Sequence, residues 1–194
     1  FRALAMFAPE GEREGSFVAA TYRASSGFGA QRGGHGGSAI AQWVFGDGNV
    51  RVRVLGLLSG ARYGMAGVLR RDDIDAGVVD FYGAYALPTA APQSGFSLRA
   101  LASASVAVLG SRASFAELGL WVGYADFRLL ENFTGFVETS RVDPEWRGRG
   151  DLIEQMDEHV SMGLRARWRS EPWEPFPWAS ARLELGTTGR LDLI

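Results

Sequence analysis

FSLRALASASVAV, residues 96–108, alternates with a period of two over its whole length. Phe96, Leu98, Ala100, Ala102, Ala104, Val106 and Val108 fall on one side of an extended chain, with Ser97, Arg99, Ser103 and Ser105 on the other. Successive side chains of a β-strand point to opposite faces, so this stretch reads as a strand with one apolar and one polar face. The pattern returns at 114–124, where Leu118, Leu120, Val122 and Tyr124 oppose Glu117, Gly119, Trp121 and Gly123. It returns again at 160–169, where Val160, Met162, Leu164, Ala166 and Trp168 oppose Ser161, Gly163, Arg165, Arg167 and Arg169. In NVRVRV, 49–54, Val50, Val52 and Val54 oppose Arg51 and Arg53.

Around these stretches the chain reads as one all-β domain over 1–194, with strands near 15–23, 38–45, 49–58, 62–70, 76–87, 95–109, 113–129, 134–142, 157–169 and 178–187. Hairpin-type signals stand at Gly46-Asp47-Gly48-Asn49, Ser59-Gly60, Arg71-Asp72-Asp73 and Gly110-Ser111-Arg112. Longer connections are expected at 24–37, 88–95, 143–156 and 170–177, and GDLIEQMDE at 150–158 is the one stretch with a helical look.

Composition removes several function classes. The 20 basic residues are all Arg and face 22 Asp and Glu, a net charge of −2 that excludes nucleic-acid binding by bulk electrostatics. With no Cys there is no disulfide framework, thiolate metal site or Cys nucleophile. No stretch approaches the roughly 20 apolar residues of a membrane-spanning helix, and residues 1–12 do not have the form of a signal peptide.

An alternating sheet has two homes. In a soluble sandwich or small barrel the apolar faces meet each other and the polar faces meet water. In a membrane barrel the apolar face meets lipid and the polar face lines a lumen. Three features favour the membrane barrel, an antiparallel up-and-down arrangement of roughly 8–10 strands. Candidate strands of 10–15 residues exceed the usual ~5–6 and suit a span of ~9–11. The polar faces gather Arg51, Arg53, Arg99, Glu117, Arg165, Arg167 and Arg169 among Gly and Ser, the makings of a lumen charge network. Aromatics fall near strand ends, where interfacial girdles stand; Trp43, Trp168, Trp173, Phe176 and Trp178 are the candidates.

On segments 96–109, 114–129 and HVSMGLRARW at 159–168, the chain resembles small bacterial outer-membrane β-barrel proteins. The resemblance spans most of the chain through a general pattern. It implies an outer-membrane location reached after signal-peptide cleavage, lipid and other envelope proteins as partners, and a structural or narrow porin-like role without a cofactor. The chain departs from that pattern in ending on LDLI without a terminal aromatic, and its connections do not alternate clearly between short and long. The soluble alternative is a β-barrel or sandwich that binds a hydrophobic small molecule or glycan.

Catalytic chemistry has one candidate. His159 and Ser161 are two apart on one strand face, and Glu171 or Glu174 downstream offers a carboxylate to orient the imidazole. The spacing resembles the His-x-Ser…Glu arrangement of outer-membrane lipid A deacylases, which would make the chain a lipid or ester hydrolase. Here the pair shares the polar face with Arg165 and Arg167, away from the lipid side. Asp72-Asp73-Ile74-Asp75 lacks the Gly and terminal Glu of a dedicated Ca²⁺ loop and reads as a solvated turn. His35 in GGHGG has no second ligand in sequence reach, and the surrounding glycines read as a surface loop without the Lys-Ser or Lys-Thr of a phosphate loop. EPWEPFPW, 171–178, is a rigid aromatic loop suited to an interface, a stacking platform or a cap on the barrel end.

Overall fold

In a computed structural model, residues 1–10, 15–46, 48–85, 92–135 and 152–194 are described. Eight strands form one antiparallel sheet in which each strand pairs with its neighbour in sequence: β1 (Arg2–Phe7), β2 (Phe17–Ser25), β3 (Gly34–Phe45), β4 (Val50–Gly64), β5 (Ser94–Leu109), β6 (Phe115–Asn132), β7 (Leu152–Arg169) and β10 (Glu184–Leu193). Between β7 and β10 lies a two-stranded ribbon, β8 (Trp173–Phe176) and β9 (Ala179–Ala181). One helical turn, α1 (Arg71–Asp75), sits in the β4–β5 connection. Among the described residues no helix is long and apolar enough to cross a membrane.

The expected meander is therefore present, but as an open sheet: among the described residues β1 and β10 pair with β2 and β7 and not with each other. Several expectations are corrected. Residues 49–58 and 62–70 are not two strands about a Ser59-Gly60 turn, because Ser59 and Gly60 sit inside β4, paired with Ser38 and Gly37 on one side and Arg99 and Leu98 on the other. Ladders on both sides keep the glycine extended. Residues 76–85 form no strand but follow α1 as turns and bends, and Arg71-Asp72-Asp73 is helical and not a hairpin turn. The LIEQMDE stretch is not helical but the start of β7, paired residue for residue with β6 from Asn132↔Leu152 to Asp126↔Glu158; a long ladder outweighs a weak local propensity. Gly34-His35-Gly36-Gly37 is strand, not loop. β1 was not foreseen. Most of the expected strand at 134–142 lies outside the described residues, as does Asp47 of the β3–β4 turn.

The connections sort by end. At one end β1 leads to β2, β3 to β4, β5 to β6 and, through the ribbon, β7 to β10; at the other β2 leads to β3, β4 to β5 and β6 to β7. We call these the turn end and the loop end. The 46–49 turn needs positive φ at Gly46 and Gly48 (130° and 60°), which only glycine adopts freely.

The two faces are unequal, and in the opposite sense to a water-soluble sheet. On β6 the apolar-face residues Leu118 and Leu120 are 57% and 59% exposed, whereas the side chain of Glu117, next to Leu118 on the polar face, is 13% exposed. On β5, Ala102, Ala104, Val106 and Val108 are exposed while Ser103 and Ser105 are half-buried. The only buried hydrophobic side chains among the described residues are Ala66, Val79 and Tyr85, all in the β4–β5 connection. Nothing described packs over the apolar face as a second layer. In place of a core, the polar face is filled by cross-strand contacts. A Cβ on Gly163 would stand 2.6 Å from the ring of Trp121, its partner on β6, and one on Gly95 would meet the Tyr63 ring even more closely. Each glycine thus leaves room for an aromatic ring from the facing strand.

Candidate functional site

The polar face divides by charge. β1–β5 contain no Asp or Glu at all. Their polar face carries Arg2, Arg23, Arg51, Arg53 and Arg99, and none of these has an ion-pair partner among the described residues. The carboxylates stand on β6, β7 and β10, where the remaining polar-face arginines are matched. Arg165 Nη2 reaches Glu117 Oε1 at 2.8 Å. Arg167 Nη2 reaches Glu184 Oε1 at 2.5 Å, and Arg169 donates from Nε and Nη2 to Glu184 Oε2 at 3.0 and 2.8 Å. The guanidinium carbons of Arg169 and Arg167 lie 4.7 and 5.4 Å from the centre of the Phe115 ring, close enough for cation–π attraction. The expected charge network thus splits into a paired cluster at the turn end of β6, β7 and β10 and unpaired cations on β4 and β5. Glu184 joins the cluster unforeseen.

The three hydrolase candidates do not assemble. Ser161, nearly buried at 6% exposure, donates to Asp192 Oδ1 at 2.5 Å, and Arg190 donates to Ser161 Oγ at 3.3 Å and to Asp192 at 2.8 Å. His159 Nδ1 lies 3.1 Å from Asp157 Oδ2. Among the described residues no hydrogen bond joins His159 to Ser161, the contact on which nucleophile activation depends. Glu171 instead accepts a hydrogen bond from Ser111 at the turn end. Ser161 and Arg169 alone are separated by about 26 Å of extended chain, at about 3.3 Å per residue. The carboxylate that sequence reasoning missed, Asp192, faces Ser161 directly across the β7–β10 ladder.

The five aromatic candidates gather at one end. Trp43 and Trp168 lie toward the turn end of β3 and β7 on the apolar face, and Trp173, Phe176 and Trp178 belong to the ribbon beyond the same end. Phe176 and Trp178 stack at 5.2 Å with 6° between their planes, and are 54% and 83% exposed, so they do not cap a core. The acidic turn is spoken for: Asp72 faces Arg70, Asp75 faces Arg71, and Asp73 accepts the Tyr85 hydroxyl at 2.5 Å. His35 is exposed on the apolar-face side, opposite Ala24 and Arg62. Among the described residues no three His, Asp or Glu side chains converge as metal ligands.

Neither a protein-family model, nor a curated protein, nor a solved structure matches this chain. What it does must be argued from the two faces themselves.

Proposed function

We propose that this chain forms the wall of a bacterial outer-membrane β-barrel, acting as a structural element or narrow pore with its apolar face in lipid and its arginine-bearing face toward the lumen. The observation that carries the reading is the inverted exposure: on β6, Leu118 and Leu120 are 57% and 59% exposed on the apolar face, while Glu117 on the polar face is 13% exposed. An uncovered apolar sheet face is a strong liability in water and the normal state in hydrocarbon. A soluble sandwich would need a second layer over those rows.

Two dimensions support it. On β6 the apolar row runs from Ala116 to Tyr124 and on β7 from Trp168 to Val160, nine residues each, within the ~9–11 of a tilted spanning strand. Beyond Tyr124 the same face turns charged, with Asp126, Arg128 and Glu158. The turn-end aromatics step along the sheet as well. Tracing the ladders, Trp168 is level with Val50, whereas Phe7 is level with Gly56, six residues further along β4. If these aromatics mark one plane, a shift of about 20 Å over six strand spacings of about 4.8 Å gives a tilt near 35°, matching the ~35–45° of spanning barrels.

Because the chain has no Cys, single cysteines at Leu120 and Ser105 place spin labels on opposite faces of neighbouring strands. In lipid vesicles the label at 120 is expected to be more accessible to oxygen than to a water-soluble nickel chelate, and the label at 105 the reverse. A chain that is monodisperse in buffer without detergent, with both labels equally open to the chelate, overturns the reading.

A further inference from the structure

Arg2 and Arg23 stand directly opposite each other on β1 and β2 and share the polar face. Like charges in that relation destabilise a sheet unless something negative lies between or above them. Among the described residues neither side chain has a hydrogen-bond or ion-pair partner, and no Asp or Glu occurs on β1–β5. Both arginines line a cavity of about 450 Å³ with the hydroxyls of Thr21, Ser38, Ser59 and Ser97. The ladder explains the space. In the row Arg2–Arg23–Gly36–Ala61–Ser97, the third and fourth members are too small to fill it. The adjoining row runs Thr21–Ser38–Ser59, with Thr21 and Ser38 hydrogen-bonded at 2.9 Å.

We propose that this cavity is a binding site for a phosphoryl dianion. A guanidinium offers a planar fork of N–H donors matched to two oxygens of a phosphate, and a hydroxyl donates to a third. Arg2 and Arg23 line the cavity together with Thr21 and Ser38, which stand on β2 and the next strand, so guanidinium and hydroxyl donors share one cavity. A chloride ion is a single sphere without the paired oxygens that a guanidinium fork matches, and carries one charge, so it is the poorer fit. The site needs only the observed pairing of β1–β5 and stands whether or not the sheet closes into a barrel.

The probe is inorganic phosphate, titrated calorimetrically into the folded full chain at constant ionic strength set with sodium chloride. Saturable binding at one site per chain is expected. Arg23→Gln and, separately, Arg2→Gln each weaken it at least tenfold, and Arg23→Lys weakens it less than Arg23→Gln. Arg53→Gln, which removes an unpaired cation at the opposite end of the same face, changes it less than twofold. Circular dichroism confirms strand content in each variant, and Arg2→Gln, on the edge strand, serves if the Arg23 variants do not fold. Absence of saturable binding above the chloride background overturns the proposal. So does an Arg53→Gln loss equal to that of the site variants, which would mark general electrostatic attraction.

Discussion

Arg167 and Arg169, two residues apart on β7, divide the two oxygens of the single Glu184 carboxylate on β10 between them, Arg167 taking Oε1 and Arg169 taking Oε2. Both side chains also lie over Phe115 of β6. The cluster therefore joins three consecutive strands of the sheet at the turn end, and it holds the start of β10 against β7, where the ribbon connection returns. Glu184→Gln removes the charge from both pairs. The partners are about a third exposed, so solvent screening keeps the loss small. The expected outcome is a lower unfolding midpoint in urea and faster amide exchange at the start of β10. Arg169→Lys is expected to lose most of the same amount, since an ammonium cannot donate from two positions of a fork.

Gly163 and Trp121 make a steric prediction with an internal control. A methyl group at 163 would stand 2.6 Å from the Trp121 ring and also 2.6 Å from the carbonyl oxygen of Gly189, which belongs to the ladder and cannot swing away. Gly163→Ala is expected to destabilise the sheet by about 1–3 kcal/mol through overpacking. Gly56, with nothing within 4 Å of its added Cβ, is the control. Gly56→Ala should leave the unfolding midpoint unchanged or slightly raised, because alanine restricts the unfolded chain.

Tyr85 fixes the long β4–β5 connection at the loop end. Its hydroxyl donates to Asp73 at 2.5 Å and accepts from the Arg70 amide at 3.1 Å. Burial, and then the bond to Asp73, push the phenol above its ordinary range. The folded state thus holds this proton more tightly than the unfolded chain does. Its contribution is complete below about pH 10 and is lost as pH rises through the folded value. Tyr85→Phe is expected to cost about 1–2 kcal/mol at neutral pH and to abolish the part of the alkaline destabilisation above pH 10 that Tyr85 supplies. Proteolysis of the 65–85 region as a function of pH measures both.

What the sequence made legible follows from how cleanly each strand separates its faces. β5, the 114–124 part of β6 and the second half of β7 alternate, and the faces of their side chains, with Arg99, Arg165, Arg167 and Arg169 on the polar one, were readable. β1 was missed because its polar face carries Leu4 and Met6 beside Arg2, which erases the alternation. The first half of β7 was misread because Leu, Glu, Gln and Met are good helix formers, and its strand state depends on pairing with β6, a partner distant in sequence. The candidate site was harder. Sequence spacing placed Ser161 beside His159, but not Asp192, which comes within reach only through the β7–β10 register. The same limit hid Glu184 and the Arg2–Arg23 pair. A cross-strand contact is a property of the register, and register is fixed by neighbours that no local pattern names.

The Ser161 geometry bears directly on catalysis. The Ser161 hydroxyl donates to Asp192, a carboxylate that Arg190 also engages and that is a weak base, and His159 is turned to Asp157, so no imidazole is positioned to take the serine proton. Ester hydrolysis by the folded chain in detergent is therefore expected to be no faster for the parent than for Ser161→Ala, measured with a chromogenic short-chain ester. A parent rate well above background that disappears in Ser161→Ala would show that the serine is activated after all.

The edges of the sheet make the last prediction. β1 and β10 each present one side whose N–H and C=O groups lack a ladder partner among the described residues. In water such an edge is tolerable; in hydrocarbon each unmet group costs several kcal/mol, so no open edge persists there. If the sheet spans a bilayer, both edges must acquire partners on insertion, from each other or from further strands. Amide exchange distinguishes the two environments. For protein in lipid vesicles, the protection of amides in β1 and β10 is expected to rise to that of β5 and β6, which are paired on both sides in either case. Central strands protected while β1 and β10 exchange as fast as loop residues would mean that the edges stay open, and an open-edged sheet does not span a membrane.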